Sequence, residues 1–391
     1  MDPVVDPAVD LAAERSADPA RRPAANRPAD PDPEPELEAI GAPSAAATPF
    51  FSVVVPVRDG ARHLPACLAA VRRSSFEDWE LWVVDDGSAD GSAAIAAGAG
   101  AAVLATAGGR GPGAARNLAA GRARGEYLFF LDADCELRPD TLAAAHARLL
   151  ASPGLEALFG SYDDAPAAPG FVSQYKNLLH HFVHQHGREA AATFWAGCGV
   201  VRRDAFLAAG GFDEIRWPRP AIEDIELGYR LRDRGARILL AKEVQVKHLK
   251  RWTLAALLRS DLRDRALPWA RLLLERGSML PGRSDLADLN VDPAGRACAA
   301  IAAAGAAAAC LAPVAAGWLW VTAAAAAALL AMNRRLYRFF LRRRGPLFAL
   351  GAVPLHWLYH LYCAVAAAIA AAGHLGRRLG LGARATPVET P

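Results

Sequence analysis

The chain has 391 residues, enough for one sizeable globular core and a further segment. Its 44 basic and 41 acidic side chains leave a net charge of +3, which excludes the basic sheath of a nucleic-acid-binding protein. At 53% hydrophobic residues it is unusually apolar, and its six cysteines form no C-x-x-C pair, so reduced, cytosol-facing thiols are expected rather than a disulfide framework or zinc ribbon.

Residues 1–48 are rich in Pro, Ala, Asp and Arg and too poor in apolar surface to offset the entropy of ordering, which predicts a disordered tail. They lack the apolar core of a secretory signal, so the amino terminus is expected in the cytosol. Order is expected from Phe50. Residues 51–57 (F-S-V-V-V-P-V) read as a buried strand that ends at the turn Arg58-Asp59-Gly60. Leu64, Cys67, Leu68 and Val71 then recur at helical spacing. Residues 80–84 form a second strand, ending in Asp85-Asp86-Gly87-Ser88, and an alanine-rich helix follows. Residues 102–106 are a weaker third strand. The glycine-rich loop 108–113 leads into a helix with Pro112 in its first turn and Arg116 and Asn117 further along.

The next run, Y-L-F-F-L-D-A-D-C at 127–135, is the focus of the chain. Five apolar or aromatic residues suit a strand buried on both faces of a parallel sheet. They stop at Asp132 and Asp134, two carboxylates placed to hold a divalent cation through oxygen ligands. Strand and helix alternate up to this point, the pattern of an α/β fold with helices on a parallel sheet. Three strands therefore end in polar residues on one edge of a sheet: Arg58-Asp59, Asp85-Asp86 and Asp132-Asp134. Ligands bind beyond such an edge.

Residues 171–186 mix aromatics with four histidines. His180 and His184 have zinc-ligand spacing, but no Glu accompanies them, so a polar-aromatic helix near substrate or membrane is the better expectation. Gly197 and Gly199, in W-A-G-C-G-V-V, suggest a backbone that a ligand approaches closely. Glu223, Asp224 and Glu226 crowd the first turn of a helix that Gly235 stops. Favourable contact with the helix dipole explains one or two acids; a third invites a catalytic role. Residues 237–240 return as a strand leading to Lys247-His248-Leu249-Lys250-Arg251-Trp252.

Residues 297–332 and 346–372 are almost wholly apolar, and about 20 such residues span a bilayer. The first tract, interrupted near Pro313, predicts a hairpin of two short spans. Residues 333–344 (N-R-R-L-Y-R-F-F-L-R-R-R) suit a helix lying at the cytosolic interface, in keeping with the positive-inside rule. The expected organisation is a tail at 1–48, a catalytic domain at 49–252, interfacial helices and linker at 253–296, a three-span membrane region at 297–375 and a tail at 376–391.

The order S-V-V-V-P-V, V-V-D-D-G-S, G-A-A-R-N-L-A, G-E-Y-L-F-F-L-D-A-D, A-G-C-G-V-V-R-R and E-D-I-E-L resembles glycosyltransferase family 2, over residues 50–252. The resemblance, to a membrane-anchored bacterial-type member, implies an A-type nucleotide-sugar-binding fold: a Rossmann-like mixed sheet flanked by helices, here followed by transmembrane helices. It implies inverting transfer of one sugar from a UDP- or GDP-type donor to a lipid-linked or cell-envelope glycan acceptor at the cell membrane, with the catalytic domain cytosolic. Carried over position by position, Pro56, Arg58 and Asp86 match residues around the base and ribose, and Arg116 and Asn117 the helix facing the donor. Asp132 and Asp134 match the ribose and metal-diphosphate pair, with Mg²⁺ or Mn²⁺ as cofactor, and His248 a further metal or diphosphate contact. Asp224, beside Glu223, matches the catalytic base. Gly197, Gly199, Arg251 and Trp252 are assigned to the acceptor and membrane side.

Processive polysaccharide synthases of the family carry Q-x-x-R-W; here His248 replaces the Gln, and the membrane region is short for a polymer channel. Single-sugar transfer is therefore favoured over a processive synthase. A rival class, an NAD-dependent oxidoreductase, draws on Gly109-Arg110-Gly111-Pro112-Gly113-Ala114, which fits G-x-G-x-x-A with Asp132 about twenty residues on. It leaves Asp85-Asp86, Asp134 and Glu223-Asp224 without a task.

Overall fold

The computed structural model describes residues 48–277 and 292–379. The expected amino-terminal tail, apart from Thr48, lies outside the described residues, as do 278–291 of the expected linker and 380–391 of the expected carboxy-terminal tail.

The first half follows the alternation in the sequence: β1 (Phe51–Val57), α1 (Leu64–Arg72), β2 (Trp79–Asp85), α2 (Ser92–Gly98), β3 (Ala102–Ala105), α3 (Gly111–Arg122) and β4 (Tyr127–Leu131). β1 pairs in parallel with β2 and β4, and β2 with β3. All five residues of β4 are buried, as a strand covered on both faces requires. Leu64, Cys67, Leu68 and Val71 supply the buried face of α1.

The second half adds four strands to the same sheet, in an arrangement the sequence reading did not foresee. It runs β5 (Cys135–Leu137), α4 (Thr141–Leu150), β6 (Leu155–Tyr162), α5 (Phe171–His186), β7 (Cys198–Arg202), α6 (Arg203–Ala208), α7 (Glu223–Asp233) and β8 (Arg237–His248). The eight strands lie in the order β3-β2-β1-β4-β7-β6-β8-β5. β7 is antiparallel to both β4 and β6, and β8 is parallel to β6. Strands β1, β2, β4, β6 and β8 therefore all end on one edge, where β7 begins. That edge carries Asp85, Asp132, Tyr162, Gly197 and His248 together.

The expected strand at 237–240 is a correction: β8 is twelve residues long. Its pairing with β6 jumps from Phe159↔Leu240 to Ser161↔Gln245, so β8 bulges between the two contacts. Charged residues in A-K-E-V-Q-V hide this continuation from a search for apolar runs. Gly160 makes the bulge possible, because a Cβ there would lie 2.2 Å from the Val244 carbonyl oxygen.

After β8 come α8 (Leu254–Arg259), a π-helix (Ser260–Ala266) and α9 (Leu267–Glu275), then α10 (Pro293–Leu311), α11 (Trp318–Met332), α12 (Arg334–Arg344) and α13 (Pro346–Arg378). α10 and α11 pack together as a helical hairpin broken at 312–317, close to the expected break. α10 and α13 are long and apolar enough to cross a membrane, with mean hydropathies of 1.5 and 1.4; α11 is a shorter apolar helix. α12 is amphipathic. Leu336 and Phe340 pack with Tyr175 and Leu178 of α5, while Arg334, Arg335, Arg338 and Arg342 are exposed. Arg343 reaches Asp164 at 2.6 Å, and Arg344 Nε donates to Gln174 Oε1 at 2.7 Å, so α12 is tied to the sheet domain by charge as well as by apolar contact.

Gly160→Ala should destabilise the domain by about 1–3 kcal/mol, the usual penalty of forced overpacking. A thermal melt of the detergent-solubilised protein would read this as a lower midpoint. An unchanged midpoint would mean that β8 can slide off the Gly160 contact at no cost.

Candidate active site

The site begins with a loop that the chain must hold open. Gly108, Gly109 and Gly111 all adopt positive φ (89°, 70° and 88°), a region open to glycine without strain. Asp86 pins this loop. Its Oδ1 accepts from Thr106 Oγ1 (2.5 Å) and the Arg110 N–H (2.8 Å), and its Oδ2 accepts from the Gly111 N–H (2.9 Å). Both carboxylate oxygens are thus engaged at the start of α3. A dinucleotide fingerprint keeps that helix terminus for a pyrophosphate; here Asp86 occupies it, which removes the basis of the oxidoreductase alternative. Arg58 is exposed, with its guanidinium over Gly109, and Pro56 is half-buried within β1.

Arg116 and Asn117 sit side by side on α3 and face different tasks. Arg116 is buried. Its Nη2 donates to Asp132 Oδ1 at 2.7 Å, and its Nη1 lies 3.5 Å from Glu223 Oε1, so one guanidinium joins the end of β4 to the start of α7. Asn117 spends both amide atoms on Phe212: Nδ2 donates to the Phe212 carbonyl (2.9 Å), and Oδ1 accepts from its N–H (2.8 Å). That clamp fixes the turn at Gly210 and Gly211, whose φ values are 82° and 65°. The expected donor contact at Asn117 thus falls on a side chain already committed to bracing this turn.

At the far end of β8, His248 faces Asp134, with Nε2 3.5 Å from Oδ2. His248 Nδ1 lies 2.6 Å from Asn177 Oδ1. Asn177 Nδ2 in turn donates to the Ser173 carbonyl (2.9 Å), which fixes the amide so that Nδ1 of His248 carries the proton. The Tyr162 ring stacks on the imidazole at 4.4 Å. Burial alone would raise Asp134, but the hydrogen bond and charge of His248, with Lys250 and His63, outweigh it and hold the carboxyl below its usual range. Asn177 lies in the histidine-rich helix, yet nothing in its spacing distinguished it.

The acid pair lies across Arg116 from this end. Glu223 Oε2 accepts from the Ala221 N–H (2.8 Å). Asp224 Oδ2 accepts from the Ala196 N–H (3.1 Å), and its Oδ1 from the Ile225 N–H (2.8 Å). Burial raises both acids above their ordinary values; the charge of Asp224 adds to the rise at Glu223, and Arg116 opposes it at both. Arg265 of the π-helix also lies within electrostatic reach of Asp224 and Glu223. Nothing in its spacing marks it, because a π-helix has no simple periodic signature. Glu226 has a structural task beyond the helix dipole. It forms a two-point ion pair with Arg230 (2.7 and 2.8 Å), which in turn donates to the carbonyls of Ala209 and Gly211.

One expectation needs correction, that Gly197 and Gly199 admit a ligand. A Cβ on Gly197 would instead meet the Trp195 ring at 2.6 Å, and one on Gly199 the Trp195 carbonyl at 2.4 Å. The close approach is made by the chain's own Phe194-Trp195 turn. The one-turn spacing of His180 and His184 serves packing, since the rings lie 3.9 Å apart and His184 Nδ1 contacts the Gly160 carbonyl at 2.9 Å. Arg251 is exposed. Trp252 packs toward α5, its N–H donating to Ser173 Oγ at 2.8 Å and Lys250 Nζ lying 4.7 Å from its ring.

Residues 52–208 match the family model described as Glycosyl transferase family 2. The chain carries a glycosyl transferase family 2 domain. Among curated relatives, this domain's chain is 37% identical over 94 residues to the glycosyltransferase AglE of Haloferax volcanii, covering 22% of this chain and 31% of that protein. It is 45% identical over 92 residues to a TPR repeat-containing protein of Synechococcus elongatus, covering 24% of this chain and 22% of the relative. The matches span less than a third of the length of these relatives. Among solved structures, the mannosyltransferase PcManGT from Pyrobaculum calidifontis, in complex with GDP-Man and Mn²⁺, superposes with a TM-score of 0.50 at 18% identity, covering 85% of this chain and 90% of that one. The family 2 domain thus has the A-type glycosyltransferase fold.

Asn117→Ala should lower the melting midpoint, since it leaves the buried Phe212 backbone short of two partners, each worth about 1–3 kcal/mol when unsatisfied. Thermal unfolding, read beside nucleotide affinity, checks this. An unchanged midpoint with weakened nucleotide binding would return Asn117 to the donor.

Proposed function

We propose that the protein transfers a single sugar, with inversion, from a UDP- or GDP-type nucleotide sugar to a lipid-linked or envelope-glycan acceptor at the membrane. The observation that carries this reading is the division of the site by Arg116. On one side stand Asp132, Asp134 and His248, at the ends of β4 and β8; on the other stands an acid pair, buried Glu223 and half-buried Asp224. Transfer from a nucleoside diphosphate needs both halves, one to hold the leaving group and one to take a proton.

Asp134 and His248 fit Mg²⁺ or Mn²⁺. With Nδ1 turned toward Asn177, the Nε2 of His248 faces the carboxylate of Asp134, and the two would act as ligands with Nε2 unprotonated. Carboxylate and water oxygens suit Mg²⁺ and Mn²⁺ alike. Among the described residues no group of three or more His, Cys, Asp and Glu could hold a metal, so the remaining ligands would be diphosphate oxygens and water. Bound there, the ion would neutralise charge on the departing diphosphate as a Lewis acid.

Asp224 is assigned as the base. The Ala196 and Ile225 N–H groups orient its carboxylate and leave lone pairs to take the acceptor hydroxyl proton. Glu223, paired with Arg116, positions the guanidinium and carries no proton of its own in the reaction. Direct displacement with one base and no enzyme nucleophile gives inversion at the sugar carbon. His248, standing where processive synthases carry Gln, is committed to Asn177 and Asp134, which favours single addition. The apolar helices α10, α11 and α13 and the arginine-rich α12 support a multi-pass membrane location with the sheet domain on the cytosolic side.

The test is a panel of nucleotide sugars with Mn²⁺ and purified full-length protein, with released nucleoside diphosphate as readout. Asp224 must be ionised to act, and its burial raises its titration, so turnover should fall as pH drops through a value above the ordinary aspartate range of about 3.9. Asp224→Asn should reduce turnover by roughly 10² to 10⁴ and erase that acidic limb while sparing nucleotide affinity. Undiminished turnover in the variant would remove Asp224 as the base.

A further inference from the structure

The π-helix between the sheet domain and the first described apolar helix sets one arginine over the acid pair. Asp261, Arg265 and Trp269 follow at intervals of four residues, about one turn, and so share a face of the π-helix and the start of α9. The two outer members of this face are anchored on different walls of the site. Asp261 is ion-paired with Lys176 of α5, and its Oδ2 accepts from Tyr362 Oη of α13 at 2.5 Å. Trp269 Nε1 donates to Tyr229 Oη of α7 at 2.9 Å. At the end of α9, Arg276 pairs with Asp233 at 2.7 Å, which pins α9 along α7. Arg265, halfway between the anchors, must therefore hang over the gap between α5 and α7. Glu223, Asp224, Asp261 and Tyr162 are among the groups within its electrostatic reach, as is the cation Lys176.

The carboxylates nearby are already supplied with donors. Asp261 has Lys176 and Tyr362, Glu223 has Ala221 and Arg116, and Asp224 has two backbone N–H groups. Arg265 itself forms no hydrogen bond or ion pair among the described residues, and its surface is open to solvent. Five N–H donors in a planar fork are left unspent near the acid pair. Within reach of Arg265, Tyr162 and His180 form an aromatic wall with Trp195, with ring centroids 4.3 to 4.9 Å apart. The His180 Nδ1 in this wall is buried and has no hydrogen-bond partner. An anion entering here meets a cation and an unsatisfied imidazole nitrogen against low-dielectric rings, where a charge-assisted pair is strong.

The position also selects which anion. The charge of Lys250 acts on Asp134, so the leaving-diphosphate end has a cation of its own. Arg265 serves the other end, beside the base, where the acceptor must present its nucleophile. The segment that carries it is fastened to α13 through Tyr362, so Arg265 stands where the apolar helices meet the sheet domain. We propose that Arg265 binds a phosphate group of a lipid-borne acceptor, and that the acceptor is an anionic lipid phosphate rather than a neutral lipid or a free glycan. The inference rests on the glycosyl transfer proposed above and names the acceptor class of that same site.

The test uses the full chain in detergent micelles with farnesyl monophosphate, farnesol, inorganic phosphate, and UDP or GDP with Mn²⁺ as separate probes, read by tryptophan fluorescence or calorimetry. Farnesyl monophosphate should bind more tightly than farnesol or inorganic phosphate. Arg265→Gln should weaken farnesyl monophosphate by roughly 10- to 100-fold, the scale of a lost hydrogen bond to a charged group, and change farnesol and the nucleotides by less than about twofold. Arg265→Lys should recover part of the loss, since it restores the charge without the planar fork, and an unchanged melting midpoint in both variants excludes unfolding as the cause. Equal binding of farnesyl monophosphate by wild type and Arg265→Gln overturns the inference. So does a loss confined to nucleotide binding, which would move Arg265 to the donor. Failure of any nucleotide to bind with Mn²⁺ would instead strike the proposed transfer itself, so the two failures are distinguishable.

Discussion

The buried guanidinium of Arg116 is the interaction on which the rest of the site depends. Moving a charge from water into a protein interior is costly unless it is paired and hydrogen-bonded. Arg116 meets that demand by reaching two carboxylates from different elements, Asp132 after β4 and Glu223 at the start of α7. Its Nε and Nη1 have no hydrogen-bond partner, the contact to Glu223 being a charge pair at 3.5 Å, and the Phe212 ring lies under the guanidinium at 5.5 Å. The Asn117 clamp holds Phe212, and the Glu226–Arg230 pair holds the carbonyls just before it. The loop that carries Phe212 is thereby fixed against α3 and α7 at once, and the cost of burying Arg116 is offset by a set of contacts that also fixes the spacing of the two acidic ends.

The sheet provides that spacing. Because β7 runs against its neighbours while β1, β2, β4, β6 and β8 run together, strand ends separated by more than a hundred residues in sequence meet on one edge. Loop residues there are supported rather than free. Asp86 spends its carboxylate on the glycine loop, and Asn177 sets the tautomer of His248 from a neighbouring helix. The helices after β8 join the same system through Asp261, which links α5 to α13. A chemical site and a set of apolar helices are thus mechanically connected through one buried aspartate.

Much of this was legible in the sequence. The five-residue apolar run before Asp132 is long enough to mark a buried strand, and the repeated strand-to-acid junctions mark the edge it shares with β1 and β2. What escaped were features without a periodic or compositional trace. β6, β7 and β8 are interrupted by a bulge, by glycines and by charges, so their apolar patterns are broken. Gly197 and Gly199 read as room for a ligand because a sequence does not say whose atoms will fill the space; the folded-back Trp195 fills it. Asn117 and Asp86 sit where donor contacts were expected, yet their side chains brace loops, and only three-dimensional partners distinguish a brace from a binding group. Arg265 is the extreme case, since its meaning comes entirely from where Asp261 and Trp269 are tied.

The central claim, that Arg116 couples the donor end to the acid pair, is tested most directly by a double-mutant cycle on Arg116→Met and Glu223→Gln, with melting midpoint and nucleotide-sugar turnover measured for all four proteins. The pair is buried on both sides, and residues in such contact show coupling free energies of about 1–3 kcal/mol. The account predicts coupling of that size in stability, with turnover of the double variant well above the product of the two single losses. Strictly additive effects in both quantities would contradict it and leave Arg116 and Glu223 as independent neighbours.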